Sequence, residues 1–326
     1  MATQSEYPEN ENRRLTAVIS FLNEGEEVGR TVASVLEFAE GKIDVIVIND
    51  GSSALYDYEE MLAPYPDVTY IRNDKRKGVA ACRDMGVDMA RTPYFILLDS
   101  HMRFYRKGWT DKITDLLDED DRRILCCQTK ALEKDESDEI VPMRVKTAYG
   151  ARINLTDDSC LLDPKWRCVA EPDPESTVID IPCVLGATYA GSRRYWKYLR
   201  GYEGLRLYGL EEPYISMKAW LEGGRCQLIK DIDVGHIYRK RFPYRVAYDE
   251  IMYNRLIIAS LLLPDDLKTR VFEACRQQNQ AVYLHTNELL AGNAEKIDEL
   301  TEYCHSIMRR DFEFIKMMNF KQQRPS

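Results

Sequence analysis

Four short runs of aliphatic, β-branched and aromatic residues, LTAVISF (15–21), IDVIVI (43–48), VTYIR (68–72) and YFILL (94–98), constrain the fold more than any other feature of the chain. Each is the length of a buried strand and too short for a helix. Between them Val28, Val32, Val35, Leu36 and Ala39 recur at helical spacing, and Val79 to Ala90 forms a second helical stretch. Strand and helix in alternation predict βαβ units, hence an α/β fold with a mostly parallel central sheet. A chain of 326 residues accommodates one large α/β domain with an appendage, or two domains.

From about Leu132 to Thr177 the pattern dissolves into acidic, loop-like sequence such as EKDESDE and EPDPES, which reads as a solvated excursion. Order returns with a strand candidate, IDIPCVLGATYA, then helices at SRRYWKYL and Glu212 to Leu221, and a short strand RCQLI before Val234-Gly235-His236. After Pro243 the chain turns helical, through DEIMYNRLIIASLLL, DDLKTRVFEACRQQ and NAEKIDELTEYCHSIMRRDFEFIKMM.

Charge narrows the classes of partner. With 45 Lys and Arg against 54 Asp and Glu, the net charge of −9 excludes the overall basic field of a typical nucleic-acid binder, though local patches remain open. The longest strongly apolar run, Leu256 to Leu263, falls far short of the ~20 residues a membrane-spanning helix needs. The polar start MATQSEYPENENRR lacks a signal-peptide hydrophobic stretch, so the expected compartment is the cytoplasm. Nine cysteines, an odd number without a CxxC pair, fit reduced thiols, with Cys126 and Cys127 of ILCCQ as core residues.

Ligands of open α/β sheets collect beyond the carboxyl ends of the strands. The residues there are Asn23-Glu24, Asn49-Asp50-Gly51-Ser52, Arg72 to Lys77 and Asp99-Ser100-His101. Asn, Asp, Gly and Ser also stabilise tight turns, so the first two groups read equally as turn chemistry. Asp99 and His101, two residues apart, leave the strand end on the same side. They form either a divalent-metal clip or a hydrogen-bonded structural pair.

Taken in order, SFLNE (20–24), INDGS (48–52), RNDKRKGVAACRDMG (72–86) and LLDSH (97–101) resemble the nucleotide-binding half of a GT-A glycosyltransferase, a family 2/27-like Rossmann-type fold. Among these the chain is most similar to the catalytic domain of the polypeptide N-acetylgalactosaminyltransferases. A second stretch, from Tyr208 to Tyr244, resembles that family's acceptor-side segment and its VGH motif with the basic, aromatic loop after it. The resemblance implies a glycosyltransferase domain over 13–245 and a helical C-terminal extension over 246–326. It implies that Asp99, His101 and His236 hold Mn²⁺ (or Mg²⁺) and that a UDP-sugar is the donor. Ser20, Asn23 and Glu24 would border the nucleoside, Asp50 would meet the uridine, and Arg83 would lie beside the sugar. Gly186 would let the backbone approach the sugar, Glu211 would bond its hydroxyls, Arg239 would hold the diphosphate, and Tyr208 and Tyr244 would flank the donor.

The chain also departs from that pattern. Glu211-Glu212 stands where the family has Glu-Asn, which offers Glu212 as a general base for an inverting reaction beside the retaining one the resemblance implies. Tyr208-Gly209-Leu210 replaces Trp-Gly-Gly and Ala187 replaces a glycine, leaving the donor sugar open among GalNAc, GlcNAc, glucose, galactose and pentoses. The acceptor is expected to be a hydroxyl of a protein Ser/Thr or a glycan. Basic and aromatic residues interleave at 102–109, 192–209 and 237–245, which adds a hydroxylated DNA base as an alternative. A non-catalytic nucleotide-sugar-binding protein is the reading from another class. The C-terminal helices are expected to pack on the catalytic domain or to mediate self-association.

Overall fold

A computed structural model describes residues 12–320 of the chain. Most of the polar start lies outside the described residues. Twelve strands and eleven helices follow the order the alternation predicts in the first hundred residues. They are β1 (Leu15–Phe21), α1 (Glu27–Ala39), β2 (Ile43–Asn49), α2 (Tyr58–Leu62), β3 (Val68–Arg72), α3 (Val79–Met89), β4 (Tyr94–Leu98), β5 (Met102–Phe104) and α4 (Trp109–Glu119). Next come β6 (Arg123–Lys134), β7 (Ile140–Pro142), β8 (Ala151–Ile153), β9 (Pro164–Trp166), β10 (Val178–Asp180), β11 (Thr188–Ser192), α5 (Arg193–Tyr198), α6 (Glu211–Glu222) and β12 (Arg225–Ile237). Helices α7 (Tyr248–Leu262), α8 (Asp265–Gln278), α9 (Gln280–Ala291), α10 (Ala294–Ile307) and α11 (Phe312–Phe320) complete it.

One sheet runs β10-β12-β6-β11-β4-β1-β2-β3, with β5 paired to β12 and β7 to β6. Strands β3, β2, β1 and β4 are parallel, as the alternation predicts. The other half is mixed: β11 lies antiparallel between β4 and β6, while β6 and β12 are parallel. Antiparallel β11 is inserted between β4 and β6, which run parallel to each other, and periodicity alone carries no sign of that pairing.

Helix α1 buries Val28, Val32, Val35 and Ala39 against one face of the sheet, beside Ile113 and Leu117 of α4. Helices α3, α5 and α6 cover the other face, and the C-terminal helices extend that same core through Leu256, Ile257, Val271, Leu300 and Ile315. No helix among the described residues is long and apolar enough to cross a membrane. All nine cysteines are free, and Cys126 and Cys127 are buried on β6 as expected.

The segment 132–177 departs from the expected solvated excursion. Ala148, Ala151, Ile153, Leu155, Leu161 and Leu162 are core residues there, and Ala151 exchanges backbone hydrogen bonds with Cys183. Its strands are three residues long, too short for a periodicity to show, and the apolar residues are spread among charged ones. Strand candidate IDIPCVLGATYA divides into β10 and β11, and RCQLI runs on as one long β12 through an irregularity between Ile229 and Asp233.

The core also encloses charge. The Asp84 carboxylate on α3 accepts from Trp196 Nε1 at 2.8 Å and from the Tyr202 amide, and burial pushes its pKa up to about 7. Such a carboxyl holds its proton more tightly folded than unfolded. Its stability contribution is therefore present at low pH and is lost as pH rises from about 4 to about 7. Asp84→Asn keeps an acceptor for both donors and should flatten this slope, up to about 1.4 kcal/mol per pH unit, in urea unfolding between pH 4 and 7. An unchanged slope would assign the carboxylate no titration in that range.

Candidate active site

The three ligand candidates meet through backbone pairing. Strand β5 lies antiparallel to β12 with His236 opposite Met102, and the Ile237 amide donates to the His101 carbonyl at 3.1 Å. This register carries His236 beside the Asp99-Ser100-His101 turn that closes β4. Gly235 lies under the Tyr105 side chain, whose hydroxyl would be 2.2 Å from a Cβ there. The result is Asp99, His101 and His236 with one ligand atom each within 4.8 Å of one another.

The chemistry of this donor set fits a divalent cation. His101 Nε2 and His236 Nε2 face each other at 3.0 Å, and Asp99 Oδ2 lies 3.3 Å from His236 Nε2. Both imidazoles are buried, and burial pushes the His236 pKa down, so that ring is held neutral with a lone pair to offer. Burial alone would raise the Asp99 pKa, but hydrogen bonding to His236 and the charge of Arg83 hold it well below the usual carboxylate range. One carboxylate oxygen and two imidazole nitrogens make a mixed oxygen and nitrogen set of the kind first-row divalent metals take.

A cavity of about 530 Å³ opens over this trio. On one wall the Ser20 Oγ is buried without a hydrogen-bond partner. Asp50 does more than face the cavity. Its Oδ1 accepts from Asn73 Nδ2 at 2.9 Å and the Lys77 amide at 2.8 Å, and its Oδ2 accepts from the Gly78 amide at 2.8 Å. One acceptor position on Oδ2 remains, enough for a single N–H donor. The clamp seats Gly78 (φ 96°) against the 207–210 turn, where a Cβ would fall 2.2 Å from Leu207 Cα.

Asn23 is not brought to the cavity. Its Oδ1 instead accepts from the Ser53 amide at 2.8 Å, so it braces the neighbouring turn. Glu24 does line the cavity, but its carboxylate faces His101 and Arg239.

At the opposite end Arg83 is buried between Asp99 Oδ1 and the Tyr189 hydroxyl, both at 2.8 Å, with Glu212 Oε1 3.7 Å away. Both oxygens of Glu211 are held by the Gly209 amide at 2.9 and 3.0 Å. Burial and mutual repulsion push up the pKa of the Glu211–Glu212 pair. Gly186 lies against Glu212, whose Oε1 would be 2.9 Å from a Cβ there. Tyr208, Phe242 and Tyr244 form an aromatic cluster with centroids 5.7 to 6.4 Å apart. Tyr244 also receives the Arg76 guanidinium on its ring at 5.4 Å.

Two residues that sequence reasoning missed come from the C-terminal helices. Asn254 of α7 is fully buried; it accepts from the Arg206 amide at 2.7 Å and donates to the Arg206 and Gly209 carbonyls at 2.8 and 2.9 Å. Arg255 holds the Leu161 carbonyl at 2.7 Å and Asp163 at 2.6 Å on the far wall. The visible signal was two polar residues inside the apolar run of α7.

Comparison with known proteins finds similar sequences and similar folds. The family described as glycosyl transferase family 2 matches residues 16–163. Human polypeptide N-acetylgalactosaminyltransferase 10 is 28% identical over 242 residues, covering 70% of this chain and 38% of the relative. A putative polypeptide N-acetylgalactosaminyltransferase 9 of Drosophila melanogaster is 30% identical over 242 residues, covering 70% and 36%. The chain thus spans under half the length of these curated relatives. In shape it is similar to GalNAc-T7, solved with UDP, GalNAc and Mn²⁺, at a TM-score of 0.75 and 21% identity over 97% of this chain and 57% of that one. It is also similar to Staphylococcus aureus TarS solved with UDP-GlcNAc, at a TM-score of 0.55 and 13% identity over 95% and 92%. Residues 16–163 thus match the glycosyl transferase family 2 model, and nearly the whole chain shares the GT-A fold.

Proposed function

We propose that the protein is a metal-dependent glycosyltransferase that moves a sugar from a UDP-sugar to an acceptor hydroxyl with retention of configuration. The observation that carries this reading is the Asp99–His101–His236 cluster at the floor of a cavity whose other walls are Ser20, Asp50, Arg83 and Glu211. Bound there, Mn²⁺ would neutralise the diphosphate and favour its departure.

The chain's own residues do the rest. Ser20 and Asp50 receive the nucleoside, and Glu211, oriented by Gly209, accepts from sugar hydroxyls. Arg239 offers a planar fork to the diphosphate once it leaves Glu24, and Tyr244 closes over the donor to exclude water. The acceptor oxygen bonds C1 as the C1–O bond to the diphosphate breaks, and its proton passes to the departing phosphate oxygen. The names of the relatives, all polypeptide N-acetylgalactosaminyltransferases, support a GalNAc donor and a protein Ser/Thr acceptor.

A DNA acceptor finds less support. Phe104, Trp109, Tyr195, Trp196 and Tyr202 of the basic, aromatic stretches are buried core, which removes five of their eleven rings from any stacking surface. A second reading of the outcome rests on Glu212: a buried carboxylate whose raised pKa makes it a stronger base favours inversion.

Two measurements test these readings. Mn²⁺ at a hundred times its Kd should stabilise the fold by about 2.7 kcal/mol, seen as a higher thermal midpoint, and His236→Ala should abolish the rise. Equal rises in both proteins would remove His236 from the site. Purified protein should also release UDP from at least one UDP-sugar with Mn²⁺, and lose this with EDTA or in Asp99→Ala. NMR of the first product should show the donor's anomeric configuration; the opposite anomer, with activity reduced a hundredfold or more in Glu212→Gln, on the order expected for losing a general base, would establish Glu212 as that base.

A further inference from the structure

The Glu24 side chain is only 5% exposed, yet it touches two groups of different kinds. Its Oε2 lies 3.3 Å from His101 Nδ1, the ring edge opposite the nitrogen that faces His236. Its Oε1 forms an ion pair with Arg239 Nη1, on the loop that follows β12. That loop, residues 238–247, has no regular structure; it is also held by the Tyr238 amide on the Leu132 carbonyl at 2.7 Å, by Arg76 on the Arg245 carbonyl at 3.2 Å and on the Tyr244 ring, by Tyr208 against Phe242 and Tyr244, and weakly by Asn23 on the Pro243 carbonyl at 3.5 Å. A second cavity, of about 320 Å³, lies behind it, and Glu24, His101 and Arg239 line both cavities. The carboxylate therefore stands in the partition between them, at the end of β1.

We propose that Glu24 is a positioning residue that governs the metal site and the loop together, an inference that rests on the metal-site reading above. Nδ1 makes no hydrogen bond of its own, and the carboxylate 3.3 Å away, as the acceptor placed to take one, favours the His101 tautomer that carries its proton there and leaves Nε2 free to ligate. The same charge holds Arg239 at the cavity edge, where an incoming diphosphate competes for the guanidinium. Loop and metal site are thus joined through one side chain on the turn between β1 and α1, which belongs to neither.

The test measures Mn²⁺ affinity by electron paramagnetic resonance and tryptic cleavage after Lys240 and Arg241, on the full chain without nucleotide. Glu24→Ala should weaken Mn²⁺ binding roughly ten- to a hundredfold and accelerate loop cleavage. Glu24→Gln keeps an oxygen for His101 but loses the charge on Arg239, so its Mn²⁺ affinity should lie nearer the wild type while its loop is cut as fast as in Glu24→Ala. Arg239→Ala should release the loop and leave Mn²⁺ affinity unchanged. Wild-type Mn²⁺ affinity in Glu24→Ala, or an unchanged cleavage rate, would overturn the proposal. The metal-site reading itself would fail separately, if the wild type bound no Mn²⁺ or His236→Ala bound it equally well. Thermal midpoints close to wild type show that the variants fold, and Glu24→Gln carries the loop test if Glu24→Ala does not.

Discussion

The pairing of β5 with β12 is the constraint on which the site depends. His101 and His236 are separated by 135 positions, and only the register that sets His236 opposite Met102 makes them neighbours. Two buried imidazoles and a carboxylate are costly to bring together without a cation, because each ring nitrogen loses its water. The long β12, bonded to β6 along most of its length, supplies the rigidity that holds such a cluster in place. A shift of one residue would send His236 to the opposite face of the strand.

Much of this was legible before any coordinates. The alternation of strand and helix between 15 and 98 identified the parallel half of the sheet, because buried parallel strands are continuous apolar runs and their helices keep a strict period. Asp99 and His101 were legible for a similar reason: a strand that ends in Asp-x-His projects both residues to one side. His236 was reached only through resemblance, since nothing local distinguishes a ligand histidine in VGH from a structural one. Strands β8 to β11 and the 148–162 core were illegible because those strands are three to five residues long and are held by distant partners, such as Cys183 for Ala151.

The functional assignments shifted most where a residue acts through other residues. Asp50 reads as a ligand contact in sequence, but three of its four acceptor positions serve the 73–78 loop. Asn23 reads as a neighbour of the nucleoside and is a brace for Ser53. Asn254 and Arg255 belonged to a stretch with no assigned role, and they fix the two walls of the cavity from behind. Hydrogen bonds from a helix to irregular loops leave no periodic trace, so such residues surface only as polar interruptions of an apolar pattern.

This arrangement explains why the C-terminal helices share the core of the sheet domain. The 207–210 turn contains two leucines in the left-handed region, Leu207 at φ 42° and Leu210 at φ 70°, and a backbone so disposed costs on the order of 1–3 kcal/mol per residue. It persists because it is held from both sides: Val79 donates to the Leu207 carbonyl at 2.7 Å, and Asn254 caps Arg206 and Gly209. Gly209 in turn fixes Glu211. The strain is thus stored beside a cavity-lining carboxylate, and the helix that offsets it, α7, comes from the C-terminal helices. Position along the chain does not divide scaffold from site here, since the wall of the cavity is completed by its last third.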